Sequence, residues 1–132
     1  MNFKELEKHY SIEWEESGEL SSLDEWYKSV RCKRVDEFSD RDLGIAIRQE
    51  LFQYEVISQA FSRLLEEPTA GFKYDGEIVV ALSHINSIEL FGNPLREKLI
   101  EVLIQENVQS EFVDEGLKEE LDLLISKIKE QK

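Results

Sequence analysis

The sequence has a single cysteine, Cys32, so no pair exists that could form a disulfide. It has only two prolines and six glycines, too few for the turns that many short strands require. No apolar run approaches the roughly 18 residues that span a bilayer, and the first residues lack the apolar core of a signal peptide. These absences favour helices over strands, and they predict a cytoplasmic location.

Basic residues are also in short supply. The chain carries 29 Asp and Glu against 16 Lys and Arg, a net charge of −13. Residues 5–25 and residues 101–122 each contain eight acids and one lysine, whereas residues 26–100 contain twelve acids and ten bases. Two such flanks repel nucleic acid and anionic lipid and attract a basic protein. The competing interpretation is that the charge only keeps the protein in solution.

Hydrophobic residues are numerous enough to build a core. They make up 41% of the 132 residues, and this length predicts one domain over residues 1–132. Phe3, Leu6 and Tyr10 recur at helical spacing, and residues 54–67 carry a wide apolar stripe that predicts a core helix. Extended along the chain, this pattern predicts an all-α fold, a single compact domain of six or seven helices.

Capping patterns predict where two helices of the N-terminal half begin. Ser22 and Glu25 have the spacing of a capping box, which predicts a helix from there to about Lys33. Ser39 has the same relation to Asp42, which would occupy the third helical position.

Three further starts are predicted in the C-terminal half. Asp75 caps a helix that continues to Ile85, although composition alone would also allow its run over residues 78–82 as a buried strand. Asn93, followed by a proline, precedes a helix from 95 to about 106, so apolar that we expect it to be the central helix. Ser110 caps the last helix.

The sequence carries no pattern typical of a catalytic or metal site. Its two histidines, His9 and His84, do not form a pair at metal-ligand spacing. His84 lies on a predicted buried helix, where we expect a hydrogen-bonded core histidine. Cys32 has no nucleophile signature, and Gly71 and Gly76 do not have the spacing of a phosphate loop. We therefore expect no catalytic residue, cofactor or metal.

One basic cluster interrupts the acidity. It lies in the last turn of a predicted helix and comprises Lys28, Arg31, Lys33 and Arg34. Cations stabilise the C-terminal end of a helix, so a structural role is sufficient, and phosphate binding is the less favoured alternative.

The middle of the chain, residues 21–82, reads SSLDEWYKSVRCKRVDEFSDRDLGIAIRQELFQYEVISQAFSRLLEEPTAGFKYDGEIVVAL. A Ser-Leu helix with an arginine is followed by an Asp-Leu helix start with Ile and Gln. An apolar helix then closes on Pro68, and a Tyr-Asp-Gly-acid helix start follows at Tyr74. In this order and spacing, the segment resembles the small immunity proteins of bacterial contact-dependent growth inhibition systems. Over these roughly sixty residues there are two departures: Glu50-Leu51-Phe52 replaces a glycine-bearing turn, and Ser58 stands where proline is expected.

The resemblance implies an inhibitor and not an enzyme. Such immunity proteins bind and neutralise the C-terminal toxin domain that is delivered into a neighbouring sibling cell, and many of those toxins are nucleases with basic clefts. It therefore implies a 1:1 complex with a basic toxin domain, with neither nucleic acid nor membrane as partner. Two alternatives remain: a nucleic-acid mimic that blocks another basic nucleic-acid-processing protein, and a small enzyme that uses a carboxylate pair.

The candidate partner-binding residues lie in the two acidic flanks. They are Glu13, Trp14, Glu15, Glu16 and Glu19 in the first, and Glu111, Asp114, Glu115 and Glu119 in the second. Trp14 is either an aromatic anchor of the interface or a core tryptophan that pins its loop. For any single carboxylate a solvated position is explanation enough, so the hypothesis concerns the clusters.

Overall fold

A computed structural model describes residues 1–14, 21–72, 74, 76–86, 89–109 and 115–129. Within these ranges the α-helices are α1 (Phe3–His9), α2 (Ser22–Val30), α3 (Asp40–Arg48), α4 (Gln53–Glu66), α5 (Glu77–Ser83), α6 (Glu89–Gly92), α7 (Arg96–Gln109) and α8 (Glu115–Lys129), with a 3-10 turn at Val35–Glu37. The predicted all-α class is confirmed: seven of the described helices have at least seven residues, and α6 is a single turn. None of the described helices is long and apolar enough to cross a bilayer.

The N-terminal half packs around Phe3 of α1, which is fully buried. Its ring centroid lies 4.8–6.4 Å from those of four other rings: Trp26, Tyr27, Phe38 and Phe52. Leu6 is buried beside it, as its spacing predicts. Tyr10 is instead 44% exposed, because α1 ends at His9 and the chain turns away from the core. The aromatic cluster thus holds α1 against α2 and against the α3–α4 turn.

The capping box of α2 lies one residue earlier than predicted. The Ser21 hydroxyl accepts a hydrogen bond from the Asp24 amide at 3.1 Å, and the Asp24 carboxylate accepts one from the Ser21 amide at 3.2 Å. The sequence contains two overlapping pairs with this spacing. The prediction that Ser22 and Glu25 form the capping box is wrong. The helix also ends at Val30 and not near Lys33. The cap of α3 is confirmed, since the Ser39 side chain accepts from the Asp42 amide.

The most completely buried of the described helices is α5, and the prediction that the helix after Asn93 is central is wrong. Four apolar residues of α5 are buried, Ile78, Val79, Ala81 and Leu82, and the helix packs against α3, α4 and α8. In α7, by contrast, Ile104 is 40% exposed, because this helix packs with one face against α4 and α8. The run over residues 78–82 is helical, as its flanking pattern indicates.

Helix α8 closes the fold against the start of α5. Its stripe of Leu121, Leu124 and Ile128 is buried. Gly76 precedes α5 with a left-handed φ of 86°, and a Cβ there would clash with the Leu117 side chain of α8. The predicted caps Asp75 and Ser110 lie outside the described residues.

A candidate protein-binding groove

A groove of about 420 Å³ opens where α1 ends, beside α2 and the α3–α4 turn. We call it the aromatic groove. Its apolar and aromatic lining consists of Ile12, Trp14, Leu23, Tyr27, Leu51 and Phe52, and its polar lining of Glu13, Asp24, Gln49 and Glu50. Ile12 is 49% exposed and Leu23 is 41% exposed, so apolar surface faces solvent here. Two predicted interface residues, Glu13 and Trp14, therefore lie in one groove.

Two helix ends of the same design form the floor of the aromatic groove. After α1, the Ile12 amide donates to the Glu7 carbonyl at 2.8 Å, and after α3 the Leu51 amide donates to the Ala46 carbonyl at 3.1 Å. Both are Schellman motifs, in which the residue after the cap is left-handed and is usually glycine. The motif places the next residue, Ile12 or Leu51, against the groove.

The left-handed residues of these motifs are not glycines. Ser11 has a φ of 56° and Glu50 a φ of 54°, and Phe52, at the start of α4, has a φ of 40°. They are the three non-glycine residues with positive φ in the described part of the chain. Such a conformation costs roughly 1–2 kcal/mol per residue, and strain of this kind clusters at functional sites. All three residues line the aromatic groove or adjoin its lining.

Trp14 is half-buried and forms a wall of the groove. Its ring packs against Tyr27 at a centroid distance of 5.5 Å, and the Arg31 guanidinium lies 4.9 Å from its centroid. Trp14 therefore lies outside the buried core, and its contacts with Tyr27 and Arg31 hold its ring in place.

Arg31 is itself fixed by a buried carboxylate. Its Nε and Nη2 donate to Glu7 at 2.8 and 2.6 Å, and the Tyr27 hydroxyl donates to the same carboxylate at 2.7 Å. The hydrogen bonds from Arg31 hold the pKa of Glu7 below its usual value. Burial and the bond to Glu7 raise the pKa of Tyr27. Glu7 therefore stays charged and keeps Arg31 beside Trp14.

Three residues of the basic cluster at the end of α2 form ion pairs with carboxylates of the same chain. Arg31 pairs with Glu7, Lys33 with Asp42 at 3.3 Å, and Arg34 with Asp36 at 2.6 Å. These pairs support the structural interpretation of the cluster.

Asp42 is the second buried carboxylate of this region. It is 6% exposed and also accepts a hydrogen bond from the Trp26 indole at 3.0 Å. Burial alone would raise the pKa of Asp42, but hydrogen bonds from Trp26, Ser39 and Lys33 outweigh it and lower the pKa.

The carboxylates of the aromatic groove differ from these buried ones. Glu13 and Glu50 are exposed, and Asp24 is half-buried at the start of α2. The described lining contains no lysine, arginine or histidine. Helix α3 also ends here, which adds the partial negative charge of a helix C-terminus. The groove therefore combines apolar surface with three carboxylates and no cationic side chain in its described lining.

The remaining predicted interface residues do not join this groove in the described structure. Glu119 is exposed on α8, which packs on α5, α6 and α7, and Glu115 begins that helix. The others, Glu15, Glu16, Glu19, Glu111 and Asp114, lie outside the described residues.

The prediction of a core histidine at His84 is wrong. Because α5 ends at Ser83, His84 forms the C-terminal cap, where its side chain is 62% exposed and lies 3.4 Å from Glu120. In the described part of the chain, no three potential metal-ligating side chains gather.

Sequence reasoning missed the half of the groove that the α3–α4 turn supplies. In the sequence, Leu51 and Phe52 stand out only as a departure from a glycine-bearing turn. That departure was the available signal, since a turn that keeps left-handed geometry without glycine carries strain.

Comparison with known proteins gives a family for this chain. A family model described as CDI immunity proteins, where CDI is contact-dependent growth inhibition, matches residues 8–98. The match covers more than half of the chain. It includes residues 21–82, on which the resemblance rests, and all the described residues that line the aromatic groove. Comparison with individually curated proteins found no match.

Proposed function

The chain belongs to the CDI immunity proteins, and on that premise we propose that it binds its cognate toxin domain directly and neutralises it. The proposed partner is the C-terminal domain of a contact-dependent growth inhibition toxin, a basic nuclease held in a 1:1 complex. The proposed place of action is the cytoplasm, where a delivered toxin would meet the inhibitor.

The observation that carries this proposal is the chemistry of the aromatic groove. Interfaces join an apolar centre to a polar rim, and here exposed Ile12 and Leu23 lie beside the carboxylates of Glu13 and Glu50. With a net charge of −13 behind it, this surface would steer a basic partner towards the groove.

We propose that the acidic flanks supply the contacts. The first flank contributes Glu13 and Trp14 in the groove, together with Glu15, Glu16 and Glu19. The second contributes Glu111, Asp114, Glu115 and Glu119 at and before α8. Their carboxylates would take the place of phosphates in the cleft of the toxin.

Inhibition by occupancy is better supported than catalysis. A general acid that works near neutral pH needs a raised carboxyl pKa. Hydrogen bonds from Arg31 lower the pKa of the buried Glu7, and the bonds to Asp42 lower its pKa against the effect of burial. Both carboxylates act within the scaffold.

The test is growth rescue combined with binding kinetics. The toxin domain encoded next to this gene is co-expressed with the protein, and association of the two purified domains is followed by biolayer interferometry. We expect rescue and a 1:1 complex. Toxicity that persists with no detectable complex would overturn the proposal.

A charge-reversal variant then tests the first acidic flank. Replacing Glu13, Glu15, Glu16 and Glu19 by lysine should slow association by roughly tenfold to a hundredfold and reduce rescue. The control reverses the same number of exposed acids elsewhere, at Glu37, Glu66, Glu67 and Glu97. If both variants lose association rate equally, net charge matters and the flank is not a specific contact.

A further inference from the structure

The lining of the aromatic groove is selective for one kind of side chain. Trp14 and Tyr27 present aromatic rings, and Glu13, Asp24 and Glu50 present carboxylates. Aromatic faces and carboxylates both attract cations. The apolar lining would pack the methylene stem that carries a cationic head.

The protein already shows how Trp14 binds a cation. Trp14 also lines a neighbouring depression of about 410 Å³ that contains Arg31, whereas Arg31 does not line the aromatic groove. The Arg31 guanidinium lies 4.9 Å from the centroid of the Trp14 ring. One arginine from within the chain therefore contacts Trp14 from the neighbouring depression. That depression also contains Lys4 and Lys8 and shares Glu13 with the groove, whereas the described lining of the groove contains no cationic side chain.

The backbone contributes to both the charge and the shape of the groove. The C-terminal end of α3, at Gln49 and Glu50, carries the negative end of the helix dipole. The left-handed residues Ser11, Glu50 and Phe52 hold the floor in a shape that glycine would adopt at lower cost. The strained residues adjoin the same groove that has the exposed apolar and acidic lining.

We propose that the aromatic groove receives an arginine side chain of the toxin domain, and this rests on the proposed function above. The stem of that arginine packs against Ile12 and Leu51. Its guanidinium lies beside Trp14 and is neutralised by Glu13 and Glu50. Arginine fits better than lysine because its planar, weakly hydrated head stacks on rings and pairs with carboxylates at two points.

The first test removes the two exposed carboxylates without removing side-chain volume. The double variant Glu13→Gln and Glu50→Gln should bind the toxin domain about tenfold or more weakly by titration calorimetry, as loss of charge-assisted contacts predicts. The matched control, Glu66→Gln with Glu67→Gln at the end of α4, should bind as wild type. Wild-type affinity in the groove variant would overturn the arginine proposal and leave the proposed function standing. A wild-type protein that does not bind would overturn both.

The second test separates the carboxylate of Glu50 from its backbone strain. Glu50→Gly should raise the melting temperature by a few degrees, since glycine suits the left-handed turn, and yet weaken binding severalfold. Ser11→Gly should raise the melting temperature similarly and leave affinity unchanged, because Ser11 contributes no carboxylate. Equal affinities for both variants would overturn the proposal for Glu50.

The third test identifies the occupant. Each arginine of the toxin domain is replaced by alanine and combined with Glu13→Gln and Glu50→Gln in double-mutant cycles. One arginine should show strong coupling, so that its loss adds little to the weakened complex, and replacing it by lysine should restore affinity only in part. Coupling that is confined to lysines or to apolar residues would overturn the assignment of arginine.

Discussion

Glu7 and Asp42 are buried carboxylates that work through the bonds they accept. Glu7 is 3% exposed, receives two nitrogens of Arg31 and the hydroxyl of Tyr27, and so couples α1 to α2. Asp42 receives the indole of Trp26 and the ammonium of Lys33, which ties α3 to α2. Because a buried charge without partners is strongly destabilising, these residues make the packing of α1, α2 and α3 depend on ionisation.

We predict that stability falls in acid because of these two groups. The pKa of Glu7 is lower in the folded protein than its ordinary value of 4.5, so the unfolded chain binds a proton at a higher pH. The stabilisation is therefore complete above about pH 4.5 and is lost as pH falls through the folded value. Glu7→Gln should lower the free energy of unfolding at pH 7 by roughly 1–3 kcal/mol and flatten its decline below pH 4.5. Urea unfolding between pH 3 and pH 7 measures both effects.

Glu66→Gln is the control for this measurement, since Glu66 is exposed near the end of α4. It should leave the pH profile close to that of the wild type. A Glu7→Gln profile that parallels the wild type down to pH 3 would contradict the assignment of the acid sensitivity to Glu7.

The ends of the helices carry much of what distinguishes this protein. At α2, Ser21 and Asp24 close a capping box while the overlapping Ser22 and Glu25 do not. At α1 and α3, serine and glutamate take left-handed positions that glycine usually fills. Local pattern located both ends of α2 and the start of α3 to within a few residues, yet it did not reveal the left-handed turns after α1 and α3, because no glycine marks them.

We predict that the two serines at the start of α2 differ in their contribution to stability. Ser21→Ala should lower the free energy of unfolding by about 1 kcal/mol, because it removes the oxygen that accepts from the Asp24 amide. Ser22→Ala should change it by no more than a few tenths of a kcal/mol, since alanine is favoured inside a helix. Urea unfolding of the two variants side by side checks this, and the opposite order would support the capping box at Ser22.

At the scale of the whole molecule, charge is distributed unevenly over the fold. In residues 26–100, where acids and bases are nearly equal in number, several bases form ion pairs within the chain. Examples are Arg31 with Glu7, and Arg63 with Asp40 at 2.8 Å. The acids of the aromatic groove are left without a cation in its described lining. Much of the net charge of −13 therefore lies at the surface, where its field can attract a basic partner before contact.

We predict that association with the toxin domain depends steeply on salt. Between low salt and about 0.5 M NaCl the association rate constant should fall roughly tenfold or more, while the dissociation rate constant changes far less. The variant with lysine at Glu13, Glu15, Glu16 and Glu19 should show a shallower slope. Association rates from stopped-flow fluorescence test this, and a rate independent of salt would contradict electrostatic steering.

The sequence by itself determined the helical class, most helix positions and the buried stripe of α4, because periodicity and caps act within a few residues. It also determined the acidity and the family. Only the tertiary structure decided that α5 is the most completely buried helix, that His84 is exposed, and that Trp14 meets Leu51 and Phe52 in one groove. These features depend on contacts between residues tens of positions apart, and such contacts arise from packing the finished helices, which no local pattern encodes.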